Sequence, residues 1–258
     1  MAARKRRARF FILFPAVLCL LLCACQADRA RKDALSLLEE QKIDSARDAF
    51  LVDTGGRLGT LLVTVESCEA EKDLVADIPF PNYELHFSVW DPLNMDIPLQ
   101  TMVRYASQLF DSVSYHVSDY NFDGHADFTW RYYLSASTGL SYLWLWDEDQ
   151  GQFVEEPAYA KLSNPLCDPE KQAISSTWRT GADSRVDAFY RWIDGSLTLV
   201  RRIEIHQPQG NMQLVTVEDL TDGQMEEVYH EELDLTTMKE IDPRVDGKWY
   251  DLDYHSER

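Results

Sequence analysis

Residues 127–149 read DFTWRYYLSASTGLSYLWLWDED, and this stretch decides the fold class. Aromatic and β-branched residues dominate its two halves, 127–135 and 140–149, and Gly139 between them suits a hairpin turn. The second half is apolar on both faces of a strand, with aromatic residues alternating with leucines: Tyr142, Trp144 and Trp146 against Leu143 and Leu145. Two adjacent strands are therefore predicted, the second of them buried on both sides.

Aromatic rows of this kind either bind sugars or pack in a core. Trp130 and Tyr132 form such a row on the first strand, and three further aromatic residues lie in later strand segments: Trp178, Tyr190 and Trp192. Because the face opposite the Tyr142 row is also apolar, core packing is the favoured interpretation.

The same period-two pattern recurs through most of the chain. It covers residues 58–67, 83–90, 112–119, 172–180, 187–193, 196–206, 211–219 and 225–233. Asp194-Gly195 and Asp222-Gly223 are typical of two-residue hairpin turns. The intervals between strands are too short for repeated crossover helices. We therefore predict an all-β fold, a mostly antiparallel β-sandwich or meander.

Two segments have helical rather than strand character. Residues 27–50 are rich in helix formers, and residues 98–110 place apolar side chains three and four positions apart. The predicted organisation is a signal peptide over 1–24, a helical tether over 25–57, a β-rich domain over 58–235 with one internal helix, and a C-terminal tail over 236–258.

The first 24 residues have the pattern of an export signal. Five basic residues lie between positions 4 and 9, and the apolar run FFILFPAVLCLLLCA covers 10–24. These fifteen residues, interrupted by Pro15, fall short of the roughly 20 that span a bilayer. A signal peptide is therefore predicted.

Leu22-Cys23-Ala24-Cys25 resembles the lipobox of bacterial lipoproteins. In that family the cysteine is acylated and becomes the first residue of the mature chain. The resemblance implies lipid on Cys25 and a place on the extracytoplasmic side of the bacterial cell envelope, in the periplasm or on the outer surface. Ordinary secretion, with Cys25 as a bystander thiol, is the alternative.

The charge of the chain restricts its partners. The chain has 25 Lys and Arg against 44 Asp and Glu, a net charge of −19. Removal of the signal leaves 20 basic residues against 44 acidic ones, a net charge near −24. This charge repels phosphate backbones and anionic headgroups, which argues against nucleic acid as a partner. It favours a cation or a basic protein.

Cys68 and Cys167 are the two cysteines that follow Cys25. An oxidising extracytoplasmic compartment permits a disulfide between them. The sequence does not distinguish that pairing from two unpaired thiols, because it does not give the distance between the two Cα atoms.

Residues 119–127, which lead into the strand predicted over 127–135, read DYNFDGHAD. Oxygen-bearing side chains occupy the first, third, fifth and ninth positions of this segment. Ca²⁺ takes six to eight oxygen ligands, which a tightly curled loop delivers. Carboxylates crowded this closely repel one another unless a cation lies between them. We predict structural Ca²⁺ bound by Asp119, Asn121, Asp123, the main-chain carbonyl of His125, and Asp127. A polar turn without metal is the alternative.

The loop is not an EF-hand, since its twelfth position is Trp130, where an EF-hand has a bidentate Glu. With strands on both sides it resembles instead the DxDxDG calcium loops of FG-GAP-type repeats. That resemblance implies a structural ion that fixes two neighbouring strands.

A wider resemblance covers residues 84–206. SDYNFDGHADF, the "G-x-F" at 151–153, the LSNP at 162–165 and DGSLTLVRRIE at 194–204 are together similar to a family of exported bacterial lipoproteins. The better-understood relatives of that family are periplasmic lysozyme inhibitors and immunity proteins against peptidoglycan hydrolases. The resemblance implies a β-sandwich body, in some members with the calcium loop.

In those inhibitors a Ser-Gly-x-x-Tyr loop plugs the catalytic cleft of the hydrolase. The matching segment here is TGLSY over 138–142, with Thr in place of the first Ser. The resemblance implies an inhibitory loop in which the Thr138 hydroxyl contacts a catalytic carboxylate, next to Gly139, and Tyr142 fills a sugar subsite. The alternative is a plain hairpin in which Tyr142 packs as a strand residue.

No catalytic motif stands out. His230-Glu231-Glu232-Leu233-Asp234 lacks the second His of a zinc-protease motif, and no G-x-S-x-G segment occurs. We therefore expect a protein that is not an enzyme. The predicted function is that of a membrane-anchored, calcium-binding module. An inhibitor or immunity protein against a lysozyme-like peptidoglycan hydrolase is the more specific alternative, and an enzyme acting on surface glycans is the less favoured one.

Overall fold

A computed structural model describes residues 49–70, 83–106, 115–135, 138–207, 212–234 and 248–253. Its strands are β1 (Ala49–Asp53), β2 (Thr60–Glu69), β3 (Tyr83–Trp90), β4 (Gln100–Ala106), β5 (Tyr115–Ser118), β6 (Asp127–Ser135), β7 (Thr138–Asp147), β8 (Gln152–Glu155), β9 (Leu166–Asp168), β10 (Ala173–Gly181), β11 (Ser184–Ile193), β12 (Ser196–His206), β13 (Met212–Thr221) and β14 (Gln224–Asp234). Two 3₁₀ turns cover Tyr159–Lys161 and Lys248–Tyr250.

The strands form three antiparallel sheets. The N-terminal sheet has the order β1-β2-β3-β4, the central sheet the order β5-β6-β7-β8, and the six-stranded sheet the order β14-β13-β12-β11-β10-β9. Within each sheet, every strand pairs with its neighbours in sequence, which confirms the predicted all-β, antiparallel fold. The described part of the chain contains no helix with the length and apolar character needed to cross a bilayer.

The two predicted hairpin turns connect β11 to β12 and β13 to β14. The backbone of Asp194 and Gly195 has φ values of 49° and 74°, and that of Asp222 and Gly223 has values of 49° and 82°. Positive φ at both central residues is the requirement of a type I′ turn, whose twist matches that of the strands. An Asp followed by Gly meets this requirement at low cost, so these turns follow from local sequence.

The main core lies between the N-terminal and central sheets. It is built around Trp144, which is 1% exposed, and the rings of Phe87 and Phe128 lie 4.8 and 4.9 Å from the Trp144 ring. Trp130, Tyr132, Tyr142 and Trp146 belong to the same core, as do alternate residues of β1, β2 and β3. The aromatic row is therefore core, as predicted from the alternation.

The other face of the central sheet is covered as well. Leu143 is fully buried and packs in a second cluster with Tyr120, Tyr159, Leu162 and Ile174. Partly buried Tyr190 and Trp192 of β11 extend this cluster, so the six-stranded sheet lies against this face. The prediction that β7 is buried on both sides is confirmed.

The segment predicted as a C-terminal tail is in part an integral piece of the fold. Trp249 and Leu252 are 3% and 6% exposed and pack on the six-stranded sheet. Arg201 of β12 forms a two-bond ion pair with Asp219 of β13, at 2.6 and 2.8 Å, and also donates to the Trp249 and Asp251 carbonyls. Residues 248–253, which lie within the tail predicted over 236–258, are thus anchored by a buried guanidinium.

Each of the two segments predicted as helical overlaps a strand of the structure. Within residues 98–110, Gln100–Ala106 is β4 and pairs with β3 along its whole length. The helix-like spacing there was overridden by the hydrogen bonds that an exposed edge of β3 offers. The helix predicted over 27–50 lies outside the described residues except for Ala49 and Phe50, which belong to β1. The tether predicted over 25–57 therefore includes a strand of the N-terminal sheet.

Candidate functional site

Residues 119–127 form a tight loop that joins β5 to β6. The two strands are antiparallel, and Ser118 pairs with Asp127, so the ends of the loop are held together. Phe122 and Gly124 have φ values of 62° and 93°, which curl the chain in the left-handed region. Glycine adopts positive φ without strain, which explains Gly124 in this loop. The loop therefore lies between neighbouring strands, as the strand patterns on both sides of it predicted.

The first three polar side chains of the loop bond to its own backbone. Asp119 accepts N–H groups from Asp123 at 3.1 Å and Gly124 at 2.9 Å. Asp123 accepts the His125 N–H at 2.8 Å and the Asn121 side-chain amide at 2.8 Å. These hydrogen bonds fix the backbone of the loop and keep the side chains of Asp119, Asn121 and Asp123 near one another.

Asp127 is the buried member of the loop. It is 0% exposed, and its two oxygens accept the backbone N–H groups of Tyr120 at 2.7 Å and Trp146 at 2.8 Å. Burial raises the pKa of Asp127 to about 7, the two N–H groups oppose that rise, and Asp123 and Asp119 add to it. Within the described residues no basic side chain forms an ion pair with Asp127.

The loop contacts all three sheets. The His125 imidazole donates from Nδ1 to the carbonyl of Thr54, 2.7 Å away in the turn between β1 and β2. This carbonyl raises the pKa of His125. Trp192 of β11 donates from Nε1 to the Tyr120 carbonyl at 2.8 Å, and the Cys167 thiol of β9 approaches the Asp119 carbonyl at 3.8 Å. The 119–127 loop therefore makes contacts with all three sheets.

The donor set of the loop suits Ca²⁺, because it contains carboxylate, amide and carbonyl oxygens and no sulfur. Asp119, Asp123 and Asp127 do not converge to within 4.8 Å as a group of three ligand atoms. The Asn121 amide lies on Oδ2 of Asp123 at 2.8 Å, and an ion held here would replace that hydrogen bond. The residue types of the loop thus fit the ion chemically, and binding would require Asn121 and Asp123 to give up their mutual hydrogen bond.

The segment predicted as an inhibitory loop, with Thr138, Gly139 and Tyr142, belongs to a strand of the central sheet. These residues lie within β7, and Tyr142 is 6% exposed. Its hydroxyl donates to the Tyr105 carbonyl at 2.6 Å, and its ring stacks on Tyr132 at 5.1 Å. The Tyr142 ring is therefore packed as a strand residue in this structure.

The two cysteines do not form a disulfide. Cys68 is exposed on β2, Cys167 is half-buried on β9 beside the 119–127 loop, and both thiols are free. Burial raises the pKa of Cys167 to about 11. The structure thus has two unpaired thiols at these positions. The predicted lipidation site, Cys25, lies outside the described residues.

A cavity that no sequence pattern predicts lies beside the loop. Its volume is about 290 Å³, and it is lined by residues of β5, β6 and β7 and by the segment 165–167. Tyr120 lies in its wall, bonded to His116 at 2.9 Å and Thr129 at 3.1 Å. Burial raises the pKa of Tyr120 to about 12, so this hydroxyl stays protonated. These contacts join residues from separate elements, which a linear pattern does not contain.

No protein-family model matches the chain, and no curated protein matches it. Among solved structures, one described as "Structure of a Xanthomonas Type IV Secretion System related protein" aligns with 72% of this chain and 95% of its own, at 17% identity and a TM-score of 0.48. A likeness this distant carries no information about function. The resemblance to exported lipoproteins stays a prediction.

Proposed function

We propose that this chain is a lipid-anchored, extracytoplasmic binding protein in which the 119–127 loop holds a structural Ca²⁺. One observation carries the proposal. The 119–127 loop carries Asp119, Asp123 and buried Asp127 on one short turn, without an ion-pair partner for Asp127 among the described residues, at the point where all three sheets meet. A divalent cation is the group that offsets such a concentration of negative charge.

Calcium in this loop has a structural role. Asp119, Asn121, Asp123, Asp127 and the main chain of His125 hold the ion. Bound calcium supplies positive charge to a loop whose backbone already contacts the β1–β2 turn through Thr54 and the six-stranded sheet through Trp192. A loop fixed in this way holds the sheets in one arrangement and so preserves the outer surface that a partner contacts.

Binding rather than catalysis fits the rest of the chain. The two aromatic rows considered for sugar binding, on β6 and β7, are buried in the core. The surface is acidic, with a net charge of −19 for the whole chain, which favours a basic partner. A peptidoglycan hydrolase is the candidate partner, from the lipoprotein resemblance. Because Tyr142 is buried, the contact uses the acidic surface and not the TGLSY segment.

Changing Cys25 to Ser tests the anchor. A serine has no thiol to acylate, so we expect the variant to take up no labelled fatty acid, whereas the parent chain is labelled. Growth with radioactive palmitate followed by immunoprecipitation measures this, with Cys23→Ser as the matched control that stays labelled. Equal labelling of the Cys25→Ser chain and its parent would refute lipid attachment at Cys25.

Binding of a basic lysozyme tests the partner. The full chain is immobilised in calcium buffer, and lysozyme binding is measured as salt rises. We expect saturable binding that weakens with salt, since exposed charges more than about 10 Å apart are screened at 0.1 M. A basic protein of matched size and charge that does not act on peptidoglycan should bind about tenfold more weakly. Equal binding of the two, or hydrolysis of peptidoglycan by the chain alone, contradicts the proposal.

A further inference from the structure

Three metal-ligating side chains converge on the N-terminal sheet, far from the 119–127 loop in sequence. Ligand atoms of Cys68, Glu84 and His86 all lie within 4.8 Å of one another. Nε2 of His86 is 2.7 Å from Oε1 of Glu84, and Sγ of Cys68 is 3.9 Å from the Glu84 carbonyl. Among the described residues, no other group of three His, Cys, Asp or Glu side chains brings its ligand atoms this close together.

Strand register brings the group together. In the pairing of β2 with β3, Cys68 lies opposite Glu84 and Glu66 lies opposite His86. Residues opposite one another on antiparallel strands point to the same face, with about 4.5–5.5 Å between their Cβ atoms. Glu84 and His86, two positions apart, share that face as well. Leu85 between them is fully buried, so the face that carries the group is the solvent face.

We propose that Cys68, Glu84 and His86 form a Zn²⁺ site. A thiolate, a carboxylate and an imidazole are the ligand types that zinc combines, at about 2.0–2.3 Å in a tetrahedral arrangement. Two ligands at those distances lie less than about 4 Å apart, so the three side chains need only small rotations to enclose an ion. The fourth position faces solvent and is open to water.

The chemistry of the group separates it from the calcium loop. Calcium takes oxygen ligands only, whereas sulfur and nitrogen select a softer ion such as zinc. On binding, the Cys68 thiol loses its proton to solvent and the sulfur donates an electron pair to the metal, with no change of oxidation state. Cys68 is otherwise an exposed free thiol, and a bound metal protects such a group from oxidation.

Cobalt is the spectroscopic probe for this site. Co²⁺ is added to the reduced full chain, purified in detergent, with excess Ca²⁺ present to fill oxygen sites. We expect one equivalent of Co²⁺ to produce the sulfur-to-cobalt charge-transfer band and the intense visible bands of a tetrahedral centre, and Zn²⁺ to bleach them. In Cys68→Ser the charge-transfer band is lost. In His86→Ala the affinity for Co²⁺ falls by about tenfold or more.

Two controls make the result decisive. Glu69→Gln removes an exposed carboxylate next to Cys68 on the opposite face of β2, and it should leave the titration unchanged. Cys167→Ser removes the other described thiol and should also leave it unchanged. A parent chain that shows no sulfur-to-cobalt band, or a band that persists in Cys68→Ser, overturns the proposal. Neither outcome bears on calcium, because an all-oxygen loop gives no such band.

Discussion

Replacing Arg201 by Met lowers the free energy of unfolding by about 3–5 kcal/mol, the loss typical when one member of a buried ion pair is removed. The Arg201 side chain is 2% exposed and that of Asp219 is 9% exposed. Without the guanidinium, Asp219 keeps a buried charge with its main partner gone, and the Trp249 and Asp251 carbonyls each lose a donor. Chemical denaturation of the full chain measures the change.

The neighbouring residue provides the control for this prediction. Arg202 of β12 pairs with Glu218 of β13 at 2.6 Å, but its side chain is 42% exposed. Such a pair contributes at most about 1 kcal/mol, so Arg202→Met should be close to neutral. The double variant Arg201→Met with Asp219→Leu should recover part of the loss, because it also removes the stranded charge. Equal effects at positions 201 and 202 would show that the C-terminal segment is not anchored as described.

Calcium should stabilise the chain by an amount that grows with its concentration. A ligand that binds only the native state contributes about 1.4 kcal/mol for each tenfold rise above Kd, or about 4.1 kcal/mol at 1,000 times Kd. We expect the unfolding midpoint to rise across a calcium titration and to fall when a chelator is added. Asp123→Asn removes one carboxylate from the loop at nearly constant shape, so it should weaken or abolish the response. Thermal melting read by circular dichroism records both effects.

Asp222→Asn is the matched control for the calcium measurement. Asp222 is an exposed acid at a hairpin turn with φ of 49°, and asparagine tolerates that conformation. Its calcium response should equal that of the parent chain. Asp127 is a poorer choice of test residue, since its oxygens also accept two backbone N–H groups and its loss destabilises the fold directly. A midpoint that ignores both calcium and chelator, in parent and variant alike, would remove the metal from this loop.

Much of the fold could be predicted because its signals are local. The alternation in 140–149 predicted a strand buried on both faces, and Leu143 and Trp144 are 0% and 1% exposed. The Asp-Gly pairs predicted two hairpins because only certain residues accept positive φ. β4 was missed because Met102 and Tyr105 match a helical spacing, and pairing with β3, a contact between distant segments, decides that stretch.

The candidate site, too, was predictable only in its local features. The loop was predicted from the spacing of its acidic residues, and its position between two strands followed from the flanking patterns. The link from His125 to Thr54 spans 71 residues, and the link from Trp192 to Tyr120 spans 72. The register of Cys68 against Glu84 likewise depends on how β2 and β3 align. Residues so far apart give no common pattern in a linear sequence.

The sequence by itself determined the strand content, the antiparallel order, the hairpins and the crowding of acidic groups at 119–127, because each depends on neighbours within a few residues. Only the tertiary structure decided that Tyr142 is enclosed, that Asp127 is buried beneath the loop and that residues 248–253 are anchored by Arg201. Burial and ion pairing depend on which distant surfaces meet. The free energy of those contacts is a property of the packed chain and not of any single segment.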